Sequence, residues 1–252
     1  IISSEMKSLI VDAGISGGYS RAGVGFNLAI NKEENLVEAY LKNTQLDTVG
    51  SLGIKAYYEG DTHVYGGTIE GGASLGVGGS GVVNVLSNKV WAYMENATVS
   101  TGGTNKVELY LEDGTPESIW GLGIFAHAIE KNYTGIATAA FTNSGYFTLS
   151  GVASVDIFED DTKAYIKDSK VISEKDVKVR SYHKAESSAG VGALAVNSNA
   201  AGVGLSAGAQ VFKDRTQAYI EGSEVQASDV SVQASSIERP FITAVAGSIL
   251  NT

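Results

Sequence analysis

The sequence of 252 residues contains no cysteine and only two prolines. Without cysteine the chain has no disulfide, no CxxC redox pair, no thiolate nucleophile and no cysteine-based zinc site. The scarcity of proline excludes a collagen-like or proline-rich disordered chain. The 18 basic residues are outnumbered by 28 acidic ones and do not cluster, so the basic surface of a nucleic-acid-binding protein is missing. We expect no nucleic-acid partner.

Long hydrophobic runs are missing as well. Charges stand within the first seven positions, at Glu5 and Lys7, which is unlike a secretion signal. The Ala/Gly-rich stretch 189–211 carries Asn197, Asn199 and Gln210, which argues against a transmembrane helix. We expect no membrane span, and the lack of an initiating methionine suggests that 1–252 is a single segment of a longer chain.

A short block recurs four times, and each copy has alanine before a tyrosine and Leu, Met or Ile after it. The tyrosines are Tyr40, Tyr93, Tyr165 and Tyr219, at intervals of 53, 72 and 54 residues. Six residues after them stand Leu46, Val99, Val171 and Val225, and 17 residues before them stand Gly23, Gly76, Thr148 and Gly202. Fixed spacing indicates one repeated structural unit. We assign the longer interval to an insertion within 120–151.

Apolar and polar side chains alternate through each block. Val37, Ala39 and Leu41 fall on one face, whereas Glu38 and Tyr40 fall on the other. Period two predicts a strand, and no window shows a capped helical stripe. A second alternating strand follows each block, starting at Leu52, Val107, Val177 and Val230. The chain is therefore predicted to be almost entirely β.

Repeats that cannot each close a core stack on their neighbours, and β-rich repeats of this kind predict a parallel β-helix. We predict an elongated, right-handed parallel β-helix, with aliphatic residues, Ala and Gly inside and with Asn, Asp, Gly and Ser at the corners. Coils of about 20 residues would give about 12 coils and a rod of roughly 55–60 Å.

Three sequence features resemble ligand-binding or metal-binding motifs, and each has a simpler structural interpretation. The run 76–81 matches G-x-G-x-x-G, but strand-like residues follow it, which favours close packing by glycine over nucleotide binding. His63, His127 and His183 lie too far apart for a metal-binding helix motif, and surface positions are expected. The acidic runs 33–34 and 159–161 lack a calcium-loop pattern, so we interpret them as solvated corners.

Enzyme activity and bound groups are not predicted. Polysaccharide-active β-helix enzymes use grouped carboxylates on one face, and no such grouping recurs here. We expect no catalytic residue, no cofactor and no metal. The outward aromatic residues are the candidate surface binding site, since exposed aromatics often anchor partners. They are Tyr40, Trp91, Tyr93, Tyr165 and Tyr219. The alternative is that these rings lie flat along neighbouring coils and only stabilise them.

Two repeats carry a family resemblance. They are Lys163–Val171 and Gln217–Val225, each followed by a Val-x-Val strand and then by a Gly/Ala-rich strand. In this pattern the chain resembles the fusobacterial leukotoxin and filamentous-haemagglutinin-like family of large secreted β-helical exoproteins. The resemblance implies a secreted or cell-surface location and, for the full-length protein, an outer-membrane translocation partner. It supplies no catalytic motif.

Three hypotheses compete. The first is a non-enzymatic shaft segment of a leukotoxin or adhesin that contacts host cells, with a leukocyte receptor as candidate partner. The second is a polysaccharide-active β-helix enzyme, and the third is a pure spacer without its own binding site. Toxin and adhesin are not distinguished by sequence, because neither needs a motif. Unpaired strand edges at the ends also predict end-to-end self-association of the fragment.

Overall fold

The alternating repeats form strands throughout. The structure is a computed structural model that describes residues 1–110, 115–142 and 146–250, and strands account for 87% of it. No helix occurs among the described residues, as the alternation predicts. The described residues accordingly provide no helix of the length and hydrophobicity needed to cross a membrane.

The fifteen strands follow one another with short connections. The first eight are β1 Ile2–Lys42, β2 Gln45–Thr48, β3 Leu52–Glu95, β4 Thr98–Thr101, β5 Val107–Tyr110, β6 Pro116–Ile119, β7 Gly121–Thr142 and β8 Phe147–Phe158. The others are β9 Asp161–Lys167, β10 Lys170–Ser173, β11 Asp176–Asn197, β12 Ala201–Phe212, β13 Arg215–Glu221, β14 Glu224–Gln226 and β15 Val230–Leu250.

Equivalent positions of successive repeats pair directly in a parallel register. Tyr40 pairs with Tyr93, Tyr93 with Tyr165, and Tyr165 with Tyr219. Gly76 likewise pairs with Gly23 and Thr148. One repeat is therefore one complete circuit of the chain. Four complete circuits run through β1–β2, β3–β4, β7–β10 and β11–β14, and β15 adds the outgoing arm of a fifth.

The all-β, parallel and solenoid-like part of the prediction is confirmed, but the predicted coil length is wrong. A circuit takes about 53 residues, as the spacing of Tyr40 and Tyr93 shows, because each circuit consists of two long arms rather than three short sides. The five outgoing arms, at about 4.8 Å per strand, stack to a height of only roughly 20 Å. Arms of about 21 residues at about 3.3 Å per residue extend for roughly 70 Å, so the long dimension follows the strands.

The insertion lies mostly ahead of the predicted range of 120–151. Leu52 pairs with Leu122, so most of the extra residues enter between β4 and β7. There β5 and β6 form an antiparallel hairpin, in which Val107 pairs with Ile119. The strand starting at Val107 is thus not the repeat equivalent of Leu52. Alternation alone could not distinguish it from the true equivalent at Leu122.

The nine-stranded sheet bends back so that the two arms of each circuit face each other. The outgoing arm of β3 pairs with β7, whereas its return arm pairs with β8 and β9. The short strands β2, β4, β10 and β14 form a second parallel sheet that closes the end away from the bend. Next to this closing sheet the arms enclose the main apolar core. That core includes Ile54, Ala56, Val90, Ala92, Met94, Ile124 and Ile166.

Polarity is inverted in the half of each circuit next to the bend. Its interior is rich in small polar residues, and Thr68 joins the two arms through Ser80 Oγ at 2.7 Å. Other buried members are Thr134, Thr138, Thr142, Thr148, Ser150 and Ser154. The outer face of the same half is apolar and exposed, as at Ile15, Phe26, Leu28, Ile69, Leu205 and Val245.

The corner after each return arm has left-handed backbone geometry in four successive circuits. Asn43, Asn96, Asp168 and Gly222 have φ angles of 51°, 50°, 47° and 60°. Asn, Asp and Gly tolerate this conformation better than other residues. The predicted use of these residue types at corners is confirmed at this position.

Strand edges are unpaired at both ends of the stack. Among the described residues, β1 pairs only with β3, and β15 pairs only with β11. Val230 and Val232 continue the interior rows of Val177 and Val179, yet each is 44% exposed. The last circuit therefore presents both backbone donors and part of the apolar interior to solvent.

We expect the fragment to associate end to end in a concentration-dependent manner, because open edges and interior rows can pair with another copy. Sedimentation velocity over a dilution series measures this. Val232→Lys places a charge on the open interior row and should shift the distribution toward monomer. Ser231→Lys, on the outer face of the same strand, is the matched control. A wild-type chain that stays monomeric at the highest concentration would contradict the expectation.

Candidate functional site

The four repeat tyrosines form one continuous stack on the outer face of the return arms. Their ring centroids are 5.2 Å apart between Tyr40 and Tyr93, 4.8 Å between Tyr93 and Tyr165, and 5.0 Å between Tyr165 and Tyr219. The interplanar angles are 15°, 4° and 1°. The structure thus brings together all four tyrosines that the sequence singled out.

Stacking buries most of the ring surface of the inner tyrosines. Tyr93 is only 8% exposed, whereas Tyr40 at the end is 49% exposed. Trp91, the fifth predicted residue, donates its Nε1 proton to the Asp161 carbonyl at 3.1 Å. The Lys163 ammonium lies 4.9 Å from a Trp91 ring centroid. These aromatic residues engage one another and their neighbours, which leaves ring edges and the end of the stack to an external partner.

The three histidines have different environments, and the expected surface placement holds for His63 alone. His63 stacks on Tyr133 at 4.9 Å and lies 3.0 Å from Asp61. His127 is fully buried next to Phe125, and burial lowers its pKa to about 3, with the charges of Arg180 and Lys55 adding to the effect. His183 is fully buried inside the circuits.

His183 belongs to a group of buried ionisable side chains, which we call the acid–histidine cluster. Its members are Glu130 on β7, Asp160 after β8, His183 on β11 and Asp214 after β12. His183 Nε2 lies 3.5 Å from Asp160 Oδ2, and Nδ1 lies 3.8 Å from Asp214 Oδ2. The side chains of these three residues are at most 1% exposed. The fold therefore concentrates three acids and one base in a dry interior.

Burial and mutual repulsion alter the ionisation of the cluster. Burial raises the pKa of Glu130 well above its ordinary value, and the neighbouring Asp160 adds to the increase. Burial also raises the pKa of Asp214, to about 6. For His183, burial lowers the pKa, but the adjacent Asp160 carboxylate and the charge of Asp214 outweigh burial and raise it.

The two aspartates of the cluster belong to a column of Asn and Asp residues, one in each of four circuits. The column consists of Asn35, Asn88, Asp160 and Asp214. Asn88 N donates to Asp160 Oδ1 at 2.7 Å, and Asp160 N donates to Asp214 Oδ1 at 3.0 Å. Each carboxylate thus satisfies a backbone donor of the preceding circuit at the kink of the return arm. A sequence signal did exist, because each member stands five residues before a repeat tyrosine.

Outside this cluster, the buried carboxylate of Glu33 is hydrogen-bonded by surrounding side chains. Its oxygens accept hydrogen bonds from Tyr58 Oη, Ser8 Oγ at 2.9 Å, Asn35 Nδ2 at 2.8 Å and Thr62 Oγ1 at 3.0 Å. Burial and the bond to Glu33 raise the pKa of Tyr58, so its hydroxyl remains a donor. Gly60 makes room for this hydroxyl, since a Cβ there would lie 2.4 Å from it.

The glycine motif at 76–81 lies wholly inside β3 and does not open a helix. Gly79 sits beneath the Phe26 ring, where a Cβ would come within 2.6 Å of the ring. The motif therefore serves close packing between circuits, as the structural interpretation predicts.

Substitution within the tyrosine stack should reveal its contribution to stability. Tyr93→Leu removes two ring contacts and keeps an apolar side chain, so we expect the free energy of unfolding to fall by about 1–3 kcal/mol. Tyr219→Leu removes one ring contact and should cost about half as much. Denaturant unfolding of both variants measures the difference. Equal losses would show that stacking is not the source of the effect.

The buried Glu33 network makes a separate prediction. Tyr58→Phe removes one donor from a buried carboxylate, so the free energy of unfolding should fall by about 1–3 kcal/mol. Tyr57→Phe, on the outer face of the same strand, is the matched control and should change stability by less than about 0.5 kcal/mol. Urea unfolding compares the two. A neutral Tyr58→Phe variant would mean that water or another donor replaces the hydroxyl.

The chain was compared with protein-family models, curated proteins and solved structures. No protein-family model, no curated protein and no solved structure matches the chain.

Proposed function

We propose that the chain is a non-enzymatic shaft segment of a large exported bacterial exoprotein of the leukotoxin or adhesin type, secreted or displayed at the cell surface. The stacking of four circuits and the first arm of a fifth in one register carries this proposal. Each circuit pairs in register with its neighbours, which is the stacking of a solenoid that presents an extended surface. The resemblance of Lys163–Val171 and Gln217–Val225 to such exoproteins supports the same role, and export of the full-length protein would use an outer-membrane translocation partner.

The proposed shaft is a right-handed parallel β-helix. Connections between parallel strands of one sheet are right-handed in about 98% of cases. Successive outgoing arms are parallel strands of one sheet, which supports this hand. An experimental structure of the fragment tests the hand.

The distribution of ionisable groups favours a structural role over catalysis. Among the described residues, the group that combines several acids with a histidine is the acid–histidine cluster. A substrate could not reach this cluster unless the circuits opened. Glu130 and His183 are both completely buried. The polysaccharide-active alternative requires carboxylates in an open groove.

Two of the open grooves are apolar, whereas the groove past Tyr219 is lined by Lys163, Arg215 and Glu221. One of about 680 Å³ crosses the outgoing arms past Ile69, and another of about 780 Å³ crosses the return arms past Leu205. Neither has a charged side chain among its described lining residues. Ile69 is 56% and Leu205 60% exposed. Exposed apolar areas of this kind mark interaction sites. We assign host-cell contact to this outer face, with an apolar patch of a leukocyte receptor as partner.

Flow cytometry of the fluorescently labelled fragment on leukocytes and epithelial cells, with a viability dye, tests the proposal. We expect saturable binding to leukocytes that unlabelled fragment competes away. The double variant Ile69→Ser and Leu205→Ser should lose most of this binding, because it removes apolar contact without touching the interior. Tyr219→Leu is the control for the tyrosine stack and should bind normally.

The outcomes separate the hypotheses. Death of the cells that bind the fragment favours a toxin, and binding without death favours an adhesin. Absence of binding to either cell type contradicts the contact role and leaves a spacer. Release of reducing sugars or unsaturated products from polysaccharides would contradict the non-enzymatic assignment. If Tyr219→Leu loses binding and the double variant does not, the host-cell contact lies on the tyrosine stack instead of the apolar face.

A further inference from the structure

We propose that Glu130, Asp160 and His183 form a binding site for one divalent zinc ion inside the circuits. One donor atom from each residue is available, and these three atoms all lie within 4.8 Å of one another. The residues come from β7, from the corner after β8 and from β11, so the ion would join both arms and two successive circuits.

Each proposed ligand is held in place through its other polar atom. Glu130 Oε1 accepts a hydrogen bond from Asn88 Nδ2 at 2.6 Å, and Asp160 Oδ1 accepts one from Asn88 N at 2.7 Å. His183 Nδ1 lies 3.3 Å from Ser236 Oγ. Such outer contacts orient metal ligands and fix the histidine tautomer. Donation from Nδ1 to Ser236 would leave the Nε2 lone pair directed at the site.

The remaining atom of each ligand has no hydrogen-bond partner. These atoms are Glu130 Oε2, Asp160 Oδ2 and His183 Nε2, and their residues are 0%, 2% and 0% exposed. Buried polar atoms are nearly always paired, since leaving one unpaired costs stability. These three unpartnered atoms belong to the residues whose donor atoms lie within 4.8 Å of one another, and a cation would satisfy all three together.

The donor set selects the kind of ion. One imidazole nitrogen with two carboxylate oxygens suits Zn²⁺, which binds three protein ligands at about 2.0–2.2 Å and accepts a fourth donor. Ca²⁺ requires six to eight oxygen ligands, and Mg²⁺ prefers oxygen ligands with several retained waters. The nearby Asp214 carboxylate lies 3.8 Å from His183 Nδ1 and adds negative charge that favours a divalent cation. Because the site is enclosed, we infer that the ion is structural and enters during folding.

The test is refolding of the whole fragment with zinc sulfate or with a chelator, followed by removal of free metal and measurement of bound zinc by mass spectrometry. We expect one zinc per chain and a higher melting temperature after refolding with zinc. The Co²⁺-refolded fragment should show visible absorption typical of low coordination number. His183→Gln should lose the bound metal and the shift in melting temperature.

Asp156→Asn is the matched control, because Asp156 is a buried carboxylate of the same arm that is bonded to Thr134 instead. It should retain one zinc per chain. A wild-type fragment that refolds without bound zinc and without a change in melting temperature overturns the proposal, as does full zinc content in His183→Gln. Should His183→Gln fail to fold, the wild-type zinc content and the Co²⁺ spectrum still decide the question.

Discussion

The structure depends on one constraint, namely that residues of the long strands pair in a parallel register with the equivalent residues one circuit away. Side chains of the same type consequently stack on one another in successive circuits. The aromatic column through Tyr93 and Tyr165, the aliphatic rows and the Asn and Asp column all follow from this single condition. Stacking is favourable for rings, for aliphatic groups and for amides that donate to one another. It is unfavourable for charges, which the same register places close to their own kind.

The outer surface avoids that repulsion by alternating the sign of charge between circuits. Lys7 faces Glu59 at 2.6 Å, Lys42 faces Glu95 at 3.1 Å, and Lys170 faces Glu224 at 3.1 Å. Each such surface pair contributes little to stability by itself. Their value lies in removing like-charge contacts from rows that a strict repeat would otherwise fill with one sign. At these three pairs the sequence therefore departs from exact repetition in the sign of charge.

The sequence predicted the register of the repeat but not the shape of the circuit. The spacing of Tyr40 and Tyr93 identified equivalent positions, and these positions do pair. Whether 53 residues close one wide circuit or several narrow coils depends on which strands face each other, and alternation is the same in both cases. The inverted polarity near the bend was missed for a related reason. Period two shows that Ile69 and Thr68 point in opposite directions, but it does not show which direction is the interior.

The acid–histidine cluster was missed because its members come from different arms, and only the circuit brings them together. It is also the place where the register conflicts most strongly with electrostatics. The column places Asp160 directly over Asp214, and the facing arm adds Glu130, all in the interior. Three buried carboxylates cannot all remain charged without compensation. Since hydrogen bonds from Asn88 and from the Asp160 backbone keep the acids in position, the compensation must come from protons, from His183 or from a bound cation. The unpartnered oxygens of Glu130 and Asp160 favour the cation, because it satisfies both at once.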